Sequence, residues 1–363
     1  MGVCRPQKQP GPWEMKPEVK SITRLAGVKL AAELAPEQTY QRNAPTQTLI
    51  ADPAAESFRT FFERQQATQP AQYLYKIDNA TVFGKGAICL EGGVVRENLE
   101  GAPVNQILKL AQECSQSPFR VLEEPVLYTT RYGVKNYGHC LTDIVPRIVQ
   151  TIRLMPDIRI ALHPEFVPTA RSALLALGCQ ADKIIFLDEQ TTRIRHGFYA
   201  SPCNIHPLIH APSSLDIIRH AYDEKTLIRH APFKAEKLFI TRKDAGTRHL
   251  INHANLADVL RCHGFVEVAV GGMSHLEQAA LFHQAREIIG LAGASLTNVL
   301  YCRPGTRMTV LAPATMPALY FWDISAQIGV DFRIGYFPVE TASPGIHADF
   351  LVDPTKLPEL AGL

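Results

Sequence analysis

The sequence predicts an α/β protein with two Rossmann-like domains that face each other across a cleft. The chain has 363 residues, which suits two domains, and its hydrophobic content of 46% can supply two cores. Short apolar runs that are typical of buried strands alternate with segments of helical periodicity, most regularly in the second half. Strands separated by single helices pair in parallel through right-handed crossovers, which is the Rossmann-like pattern.

Composition divides the chain into four parts. Residues 1–70 carry many Pro, Gln and Ala residues and predict an N-terminal extension that is partly irregular. Residues 71–212 predict a first α/β domain, and the proline-bearing segment 201–214 is the expected linker. Residues 213–340 predict a second, Rossmann-like domain, and residues 341–363 a C-terminal tail.

The first domain opens with short β-type runs that are punctuated by glycines and an Asp-Asn turn, which predicts an antiparallel meander. A helix from about residue 136 contains Pro146, which should kink it or end its first segment. The expected strands are 73–77, 80–83, 87–90, 126–130, 159–162, 183–187 and 193–199, and the other expected helices are 105–114 and 167–177.

The second domain alternates more regularly. Ser213 or Ser214 should cap a helix that runs to about residue 231, and Ser274 with Glu277 predicts a capping box. The expected strands are 237–241, 266–270, 288–291, 307–311 and 332–336, and the other expected helices are 252–263 with Asn252 as cap, 274–285, 296–301 and 318–328.

One turn of small residues, Ala292-Gly293-Ala294-Ser295, connects the buried strand 288–291 to a helix. Free backbone N–H groups and the helix dipole make such a turn a common anion site, with phosphate as the usual ligand. The alternative is a tight βα turn that binds nothing.

Three basic residues, Arg242, Lys243 and Arg248, follow the strand 237–241 directly. The carboxyl end of a strand faces the ligand crevice in an open α/β sheet, and guanidinium groups bind diphosphates bidentately. A solvated basic loop is the alternative. The turn at 292–295 favours the anion site, because two neighbouring strand ends would offer cations and amide donors to one anion.

His139 and Asp143 lie four residues apart on the helix that begins near residue 136. This spacing puts them on one helix face, where a carboxylate can fix the tautomer of an imidazole and raise its basicity. The pair could therefore act as a general base. The alternative is a surface contact or a satisfied core histidine.

Several patterns limit the function. The sequence has no P-loop, no Gly-x-Ser-x-Gly elbow and no Asp-x-Asp, so the usual carboxylate pair for a metal–nucleotide complex is missing and no metal is expected. Cys203, His206 and His210 have zinc-like spacing, but a fourth ligand is not evident.

A net charge of +2 does not favour nucleic acid as a partner. Eight scattered cysteines and the lack of a membrane-length apolar run predict a cytoplasmic protein.

The run Asn136-Tyr-Gly-His-Cys-Leu-Thr-Asp-Ile-Val-Pro-Arg147 resembles the Asn-x-x-His-x-x-x-Asp-x-x-Pro-Arg segment of glycosyltransferase family 61. Bacterial members of this family are often capsular polysaccharide biosynthesis proteins. The resemblance spans roughly residues 73–336, and the further matching positions are Ile240-Thr-Arg-Lys243, Arg248, Ile251-Asn252, Gly264-Phe265, Glu277-Gln278, Ala285, Gly290, Gly293, Ala294, Leu296, Thr297 and Asn298.

The resemblance implies a GT-B-like fold and an inverting transfer from a nucleotide sugar, with the donor on the second domain and the acceptor on the first. His139 or Asp143 would then be the base. The donor diphosphate would be held by Arg242, Arg248 and the amides of Gly293, Ala294 and Ser295, with Thr297 and Asn298 lining the same pocket. No separate cofactor is implied. The expected partners are a nucleotide sugar and a glycan or lipid-linked acceptor, the latter with peripheral contact at the inner face of the membrane.

The chain departs from the family pattern at four positions. Ala292 stands where the family has His, Ser295 replaces a Gly, and His253 and Val310 occupy positions usually held by Glu. These departures motivate one alternative, a divergent non-catalytic member that acts as a binding or scaffold subunit in polysaccharide assembly. A second alternative is another nucleotide-using enzyme of similar fold, such as a sugar epimerase.

Overall fold

A computed structural model of the protein describes residues 18–91, 93–99, 102–114, 120–188, 190–205, 209–340 and 345–363. It has mixed α/β architecture with two main sheets. The strands are β1 (Val19–Lys20), β2 (Val28–Ala35), β3 (Gln38–Gln41), β4 (Gln47–Ile50), β5 (Gln66–Gln69), β6 (Gln72–Ile77), β7 (Ala80–Phe83), β8 (Ala87–Leu90), β9 (Gly93–Val95), β10 (Arg120–Tyr128), β11 (Arg159–Leu162), β12 (Ile184–Phe186), β13 (Thr192–Ala200), β14 (Asn204–Ile205), β15 (Ile209–His210), β16 (Lys237–Ile240), β17 (Val266–Val268), β18 (Glu287–Leu291), β19 (Arg307–Pro313) and β20 (Asp331–Phe337).

The helices lie mainly between the parallel strands. The α-helices are α1 (Arg59–Phe62), α2 (Val104–Cys114), α3 (Tyr137–His139), α4 (Val145–Leu154), α5 (Pro168–Ala176), α6 (Pro212–Arg219), α7 (Glu224–Arg229), α8 (His253–Cys262), α9 (His275–Gln284), α10 (Leu319–Ile328) and α11 (Leu357–Ala361). A π-helix covers Cys140–Ile144, and 3₁₀-helices cover Ile22–Arg24, Pro53–Phe58, Arg96–Asn98, Ala181–Lys183, Ala294–Tyr301 and Pro354–Lys356.

The first sheet has ten strands and mixed direction. Its parallel part has the order β13-β10-β11-β12, as the alternation of strands and helices predicts. The meander expected from strands 73–77, 80–83 and 87–90 is only partly present: β7 and β8 pair antiparallel, and β9, which was not predicted, pairs antiparallel with β8. β6 does not pair with β7, and the expected Asp-Asn turn does not reverse the chain. Both strands pair antiparallel with β13 in one continuous register, β6 with its end and β7 with its beginning. Asn79 lies between them with a φ of 58°, and its N–H donates to Arg195 O at 3.1 Å.

The second sheet has six strands in the order β17-β16-β18-β19-β20-β4, all of them parallel. The order reverses between β16 and β18, so the sheet has a topological switch point there. The largest apolar cluster joins both sheets, since it includes Leu127 and Ile160 of the first and Ile288 and Val310 of the second.

The chain ends contribute more regular structure than their composition suggests. In the segment predicted as partly irregular, β2 pairs with β6 in the first sheet and β4 extends the second sheet beyond β20. At the other end, Leu357 and Leu360 of α11 are buried against the second sheet together with Phe350.

Helix α3 continues through the π-helix into α4, so the proline at position 146 does not break it. Pro146 stands in the first turn of α4, directly after the π-helix. The wider π turn accommodates Pro146, which has no N–H to donate and whose ring needs space. The regular i to i−4 hydrogen bonds are already interrupted there.

Three local features differ in detail from the sequence prediction. The helix expected from 213 or 214 to 231 is two helices. α6 begins at Pro212, which occupies its first turn, and ends at Arg219; α7 begins separately, with Asp223 as its cap. Asn252 does not cap α8 through its side chain; its Nδ2 donates to Val352 O at 2.6 Å. The expected linker forms the β14–β15 hairpin, in which Asn204 and His210 are buried.

Candidate active site

The residues that follow β16 and β18 meet at the switch point of the second sheet. Ile240, the last residue of β16, pairs with Gly290 of β18, so both strands end at one edge. In parallel sheets, ligands bind outside the carboxyl ends of the strands where the strand order reverses. This edge therefore holds two of the features predicted from sequence, the basic loop and the turn of small residues.

Arg242 and Gly293 are in direct contact across this edge. A Cβ built on Gly293 would overlap Arg242 Nη1. The guanidinium is also held by Thr247 O, which accepts from Nε at 3.2 Å and from Nη2 at 3.0 Å. Glycine at 293 thus leaves the space that the guanidinium fills beside the turn.

Arg248 lies close to Arg242, and both side chains are half-buried. Burial lowers the pKa of the Arg242 guanidinium, although nearby Asp244 opposes the shift. Burial and the positive charge of Arg242 together lower the pKa of Arg248 to about 10. Within the described residues, neither guanidinium forms an ion pair with a carboxylate, and Asp244 instead accepts from Gly271 N at 2.7 Å. The two cations therefore favour an added anion.

Arg248 is held in an unusual backbone conformation, with a φ of 58°. Its N–H donates to His347 O at 3.2 Å, and Nη1 contacts Met316 Sδ at 3.1 Å. Non-glycine residues rarely adopt this conformation, and they often do so at functional sites.

A cavity of about 380 Å³ opens beside Arg242. The second half contributes Arg242, Ala294 and Ser295 to its walls, and the first half contributes Lys135 and Tyr137. The cavity thus lies between the two halves of the chain, next to the switch point.

The turn leads into a 3₁₀-helix, Ala294–Tyr301, instead of the expected α-helix. The tighter winding lets Asn298 Nδ2 donate to Ser295 O at 3.0 Å, while Leu296 packs on Gly290. Thr297 and Asn298 are fully buried. Asn298 also donates to Gln278 Oε1 of α9 at 2.8 Å and accepts from Tyr137 OH of α3 at 2.7 Å. These hydrogen bonds link the first half of the chain to the second.

His139 lies at the end of α3, two residues beyond the cavity-lining Tyr137, and is half-buried. Its ring stands edge-on to Tyr320 of the second half, with centroids 6.4 Å apart. Gly138 permits this approach, because a Cβ there would lie 2.8 Å from Thr297 Oγ1 and 2.9 Å from Tyr320 OH. The helix that carries His139 thus packs directly on the elements around the switch point.

Asp143 lies in the π-helix and is fully buried. Its Oδ2 accepts from Arg131 Nη1 at 2.9 Å and lies 3.5 Å from Arg147 Nη1, and its Oδ1 accepts from Cys203 N at 2.7 Å. Burial alone would raise the pKa of this carboxyl, but Arg147 and Arg131 outweigh it and hold the pKa below its usual value. The carboxylate is thus a weak base that joins three parts of the chain: its own helix, Arg131 and Cys203.

The four positions that depart from the family pattern have different surroundings. Ala292 and Val310 are fully buried at the carboxyl end of β18 and within β19. His253 Nε2 contacts Glu267 Oε1 at 2.8 Å, and Ser295 lines the cavity beside Arg242.

The sequence interpretation missed several side chains that build this region. Tyr137 and Gln278 line the cavity and hold Asn298, and Tyr320 hydrogen-bonds Thr142 at 2.9 Å. Gln278 and Arg147 both match the family pattern, and this match could have marked them as candidate site residues. No local signal marks Tyr320, because its partner is distant in the chain.

The zinc-like spacing is only partly covered by the structure, because His206 lies outside the described residues. His210 Nδ1 hydrogen-bonds Asp323 at 2.8 Å, and Cys203 Sγ lies 3.5 Å from Gln72 Oε1. Among the residues that the structure describes, no group of three or more His, Cys, Asp or Glu side chains is arranged to hold a metal ion. In the same part of the chain, every helix is too short or too polar to span a bilayer.

A buried histidine, His275, lies beside Tyr137 at the start of α9, with ring centroids 6.4 Å apart. Its ring nitrogens contact Tyr222 OH at 2.9 Å and Tyr301 OH at 3.2 Å. Burial lowers the pKa of this imidazole to about 4, so it is neutral in the folded protein at pH 7.

His275 should make stability depend on pH between about 6.5 and 4. Because its pKa is lower in the folded than in the unfolded chain, the unfolded state binds a proton first as the pH falls. The free energy of unfolding should therefore drop, by on the order of 3 kcal/mol from this residue. Urea titrations across this range should show a flatter profile for His275→Gln than for the wild type; equal profiles would contradict the buried neutral state.

The comparisons with known proteins concern the region that contains these residues. The family model described as Glycosyltransferase 61 matches residues 137–309, a region that runs from α3 into β19 and contains His139, Arg242 and Gly293. A search of curated proteins finds no match. Residues 137–309 are therefore similar to glycosyltransferase family 61.

Proposed function

We propose that the protein moves a sugar from a nucleotide-sugar donor to a growing cell-surface glycan, with inversion at the anomeric carbon. The observation that carries the proposal is the pair of half-buried, mutually repelling guanidiniums, Arg242 and Arg248, at the switch point of the second sheet. The diphosphate of such a donor would neutralise these two positive charges. The family match over residues 137–309 favours the same chemistry.

In this proposal the donor diphosphate lies against Arg242, Arg248 and the amides of Gly293, Ala294 and Ser295. The nucleotide occupies the cavity beside Arg242, which Tyr137 and Ser295 also line. Donors fixed before the reaction stabilise the negative charge that develops on the leaving group without reorganisation. Arginines and backbone amides would balance this charge, so the proposal requires no metal ion.

The acceptor hydroxyl attacks the anomeric carbon from the face opposite the diphosphate. A C–O bond to the acceptor forms, the C–O bond to the diphosphate breaks, and its electron pair leaves with the nucleoside diphosphate. We assign the acceptor proton to His139, because Asp143 is fully buried and its two arginine partners keep its pKa low. An imidazole can accept this proton near neutral pH.

The finer parts of the proposal rest on the family resemblance. A GT-B-like arrangement would set the first half as acceptor side and the second as donor side. The biological setting would be capsular polysaccharide synthesis in the cytoplasm, with a glycan or lipid-linked acceptor and peripheral contact with the inner face of the membrane in the latter case.

Replacing Arg242 should weaken nucleotide binding. Arg242→Ala removes one charge-assisted contact to the diphosphate, and we expect a loss of about 1.5–3 kcal/mol in binding free energy, or about 10- to 150-fold in Kd. Titration calorimetry with UDP, GDP, CMP and dTDP and their sugars would identify the nucleotide and measure the change.

The matched control is Arg261→Ala, which removes an exposed arginine of the same half that pairs with Asp258 on α8. Its nucleotide affinity should equal that of the wild type. If Arg242→Ala also keeps wild-type affinity, Arg242 is not part of the donor site.

A scaffold role without catalysis is the second candidate, because two positions that carry His and Glu in the family are here the buried residues Ala292 and Val310. A protein that binds none of these nucleotides and nucleotide sugars would support this role over catalysis.

A further inference from the structure

A separate cavity, of about 280 Å³, lies at the amino edge of the second sheet. His283 comes shortly before β18, Arg303 and Pro304 come shortly before β19, and all three line this cavity. The end of α6 and the start of α7 complete its wall with Arg219, His220 and Glu224. The cavity beside Arg242 opens at the other edge of the sheet, and among the described residues no side chain lines both cavities.

The wall of this cavity carries more positive than negative charge. Two arginines and two histidines line it, together with one carboxylate, Glu224. Arg303 Nη2 lies 3.4 Å from Glu224 Oε1, but these side chains are 45% and 68% exposed, so water screens the pair. Arg219 is half-buried, and its guanidinium forms no ion pair or hydrogen bond within the described part of the chain. The dipole of α6 favours a cation at this helix end, but no carboxylate neutralises the Arg219 charge.

His283 holds the second guanidinium at the cavity wall. Its Nδ1 lies 3.0 Å from Tyr301 O, and Nδ1 carries the hydrogen because a carbonyl oxygen can only accept. The other ring nitrogen, Nε2, then accepts from Arg303 Nε at 3.3 Å and from Arg303 Nη2 at 3.2 Å. Burial lowers the pKa of His283; the Tyr301 carbonyl opposes this shift and Arg303 reinforces it. Arg303 Nη1 has no hydrogen-bond partner among the residues that the structure describes, so this guanidinium can still donate to a ligand.

We infer that this cavity binds a phosphate group between Arg219 and Arg303, at a site separate from the proposed donor site. A phosphate group carries close to two negative charges at neutral pH and has several acceptor oxygens. It can therefore accept from both guanidiniums and neutralise both charges, whereas a monoanion such as acetate neutralises only one. A soluble phosphate compound and a phospholipid headgroup both supply this chemistry. The site does not depend on the proposed function, because the two cavities open at opposite edges of the second sheet.

Phosphate binding at this cavity can be measured in Arg242→Ala, which weakens the proposed donor site and so removes its contribution. Calorimetry and ³¹P NMR titrations would use inorganic phosphate and pyrophosphate, and calorimetry would use acetate as the monoanion. Arg219→Gln and Arg303→Gln, each added to Arg242→Ala, remove one charge and keep a polar side chain. Each should weaken phosphate binding by about 10-fold or more, the effect of one charge-assisted contact. Acetate should bind more weakly than phosphate.

The matched control is Arg229→Gln, because Arg229 is an exposed arginine that also stands at a helix end, in α7, but does not line the cavity. Added to Arg242→Ala, it should leave phosphate binding unchanged. If Arg219→Gln and Arg303→Gln bind phosphate as tightly as this control, the cavity is not a phosphate site. An Arg242→Ala protein that binds neither phosphate nor pyrophosphate also overturns the inference.

Vesicle flotation distinguishes the two sources of the phosphate group. Binding to phosphatidylcholine vesicles only when they contain phosphatidic acid, and its loss in Arg219→Gln, would assign the cavity to a lipid headgroup. Phosphate binding in solution without vesicle binding would assign it to a soluble compound.

The two proposals can fail separately. Phosphate binding that survives Arg242→Ala and depends on Arg219 would support this site even in a protein that binds no nucleotide sugar. Nucleotide binding that depends on Arg242, with no phosphate binding left in Arg242→Ala, would support the donor site and refute the second site.

Discussion

His139→Ala should lower kcat for sugar transfer by about 10²- to 10⁴-fold, the usual contribution of a positioned general base. Nucleotide affinity should not change, because the donor contacts proposed here come from Arg242, Arg248 and the turn at 293–295. The predicted defect is therefore confined to the chemical step. A loss of kcat with unchanged nucleotide Kd is the pattern expected for a group that acts only in the transition state.

The measurement requires the donor that the nucleotide titrations identify and a saccharide that accepts its sugar. Single-turnover kinetics would separate transfer from product release, and calorimetry would give the nucleotide Kd of each variant. His263→Ala is a suitable control, since His263 is an exposed residue at the end of α8. Full turnover by His139→Ala would remove His139 from the mechanism.

His139→Ala also removes a packing contact, because the His139 ring lies against Tyr320. His139→Gln tests this, since glutamine retains polar bulk at the position but does not act as a base near neutral pH. If the imidazole is the base, both variants lose turnover. If only packing matters, His139→Gln recovers most of the wild-type rate.

The second half of the fold can be predicted well from sequence because its strands are continuous apolar runs bounded by turn residues. β16, β18, β19 and β20 lie near their predicted positions, and the capping box at Ser274 is present. The position of the proposed anion-binding edge follows from the same pattern, because Arg242 and the turn that contains Gly293 each come directly after a predicted strand. Their contact is a consequence of parallel pairing between neighbouring strands.

Other features depend on partners that are distant in sequence. β4 has the polar sequence Gln47-Thr-Leu-Ile50 and becomes a strand only by pairing with β20. The i, i+4 spacing of His139 and Asp143 is visible in the sequence, but the role of Asp143 is set by Arg131 and Cys203, which local periodicity cannot place beside it. Burial and charge partners decide whether a carboxylate is a base or a structural anion.

Asp143→Asn should destabilise the protein by about 3–5 kcal/mol, because it removes a buried carboxylate that contacts two buried arginines. Arg131 and Arg147 are 2% and 0% exposed, so water cannot replace the lost carboxylate charge. The exposed pair of Asp258 with Arg261 offers a matched contrast, since Asp258→Asn should cost less than about 1 kcal/mol. Urea denaturation of both variants measures the difference.

Two further measurements separate a structural anion from a catalytic base. Adding Arg131→Gln to Asp143→Asn should recover part of the lost stability, because it removes one of the two buried positive charges that the Asp143 carboxylate neutralises. The folded pKa of Asp143 lies below the unfolded value of about 3.9, so its stabilisation is present above that pH and is lost as the pH falls through the folded pKa. The wild type should lose this contribution in acid and Asp143→Asn should not. A variant with unchanged stability and no turnover would instead make Asp143 the base, and would leave His139 with a positioning role.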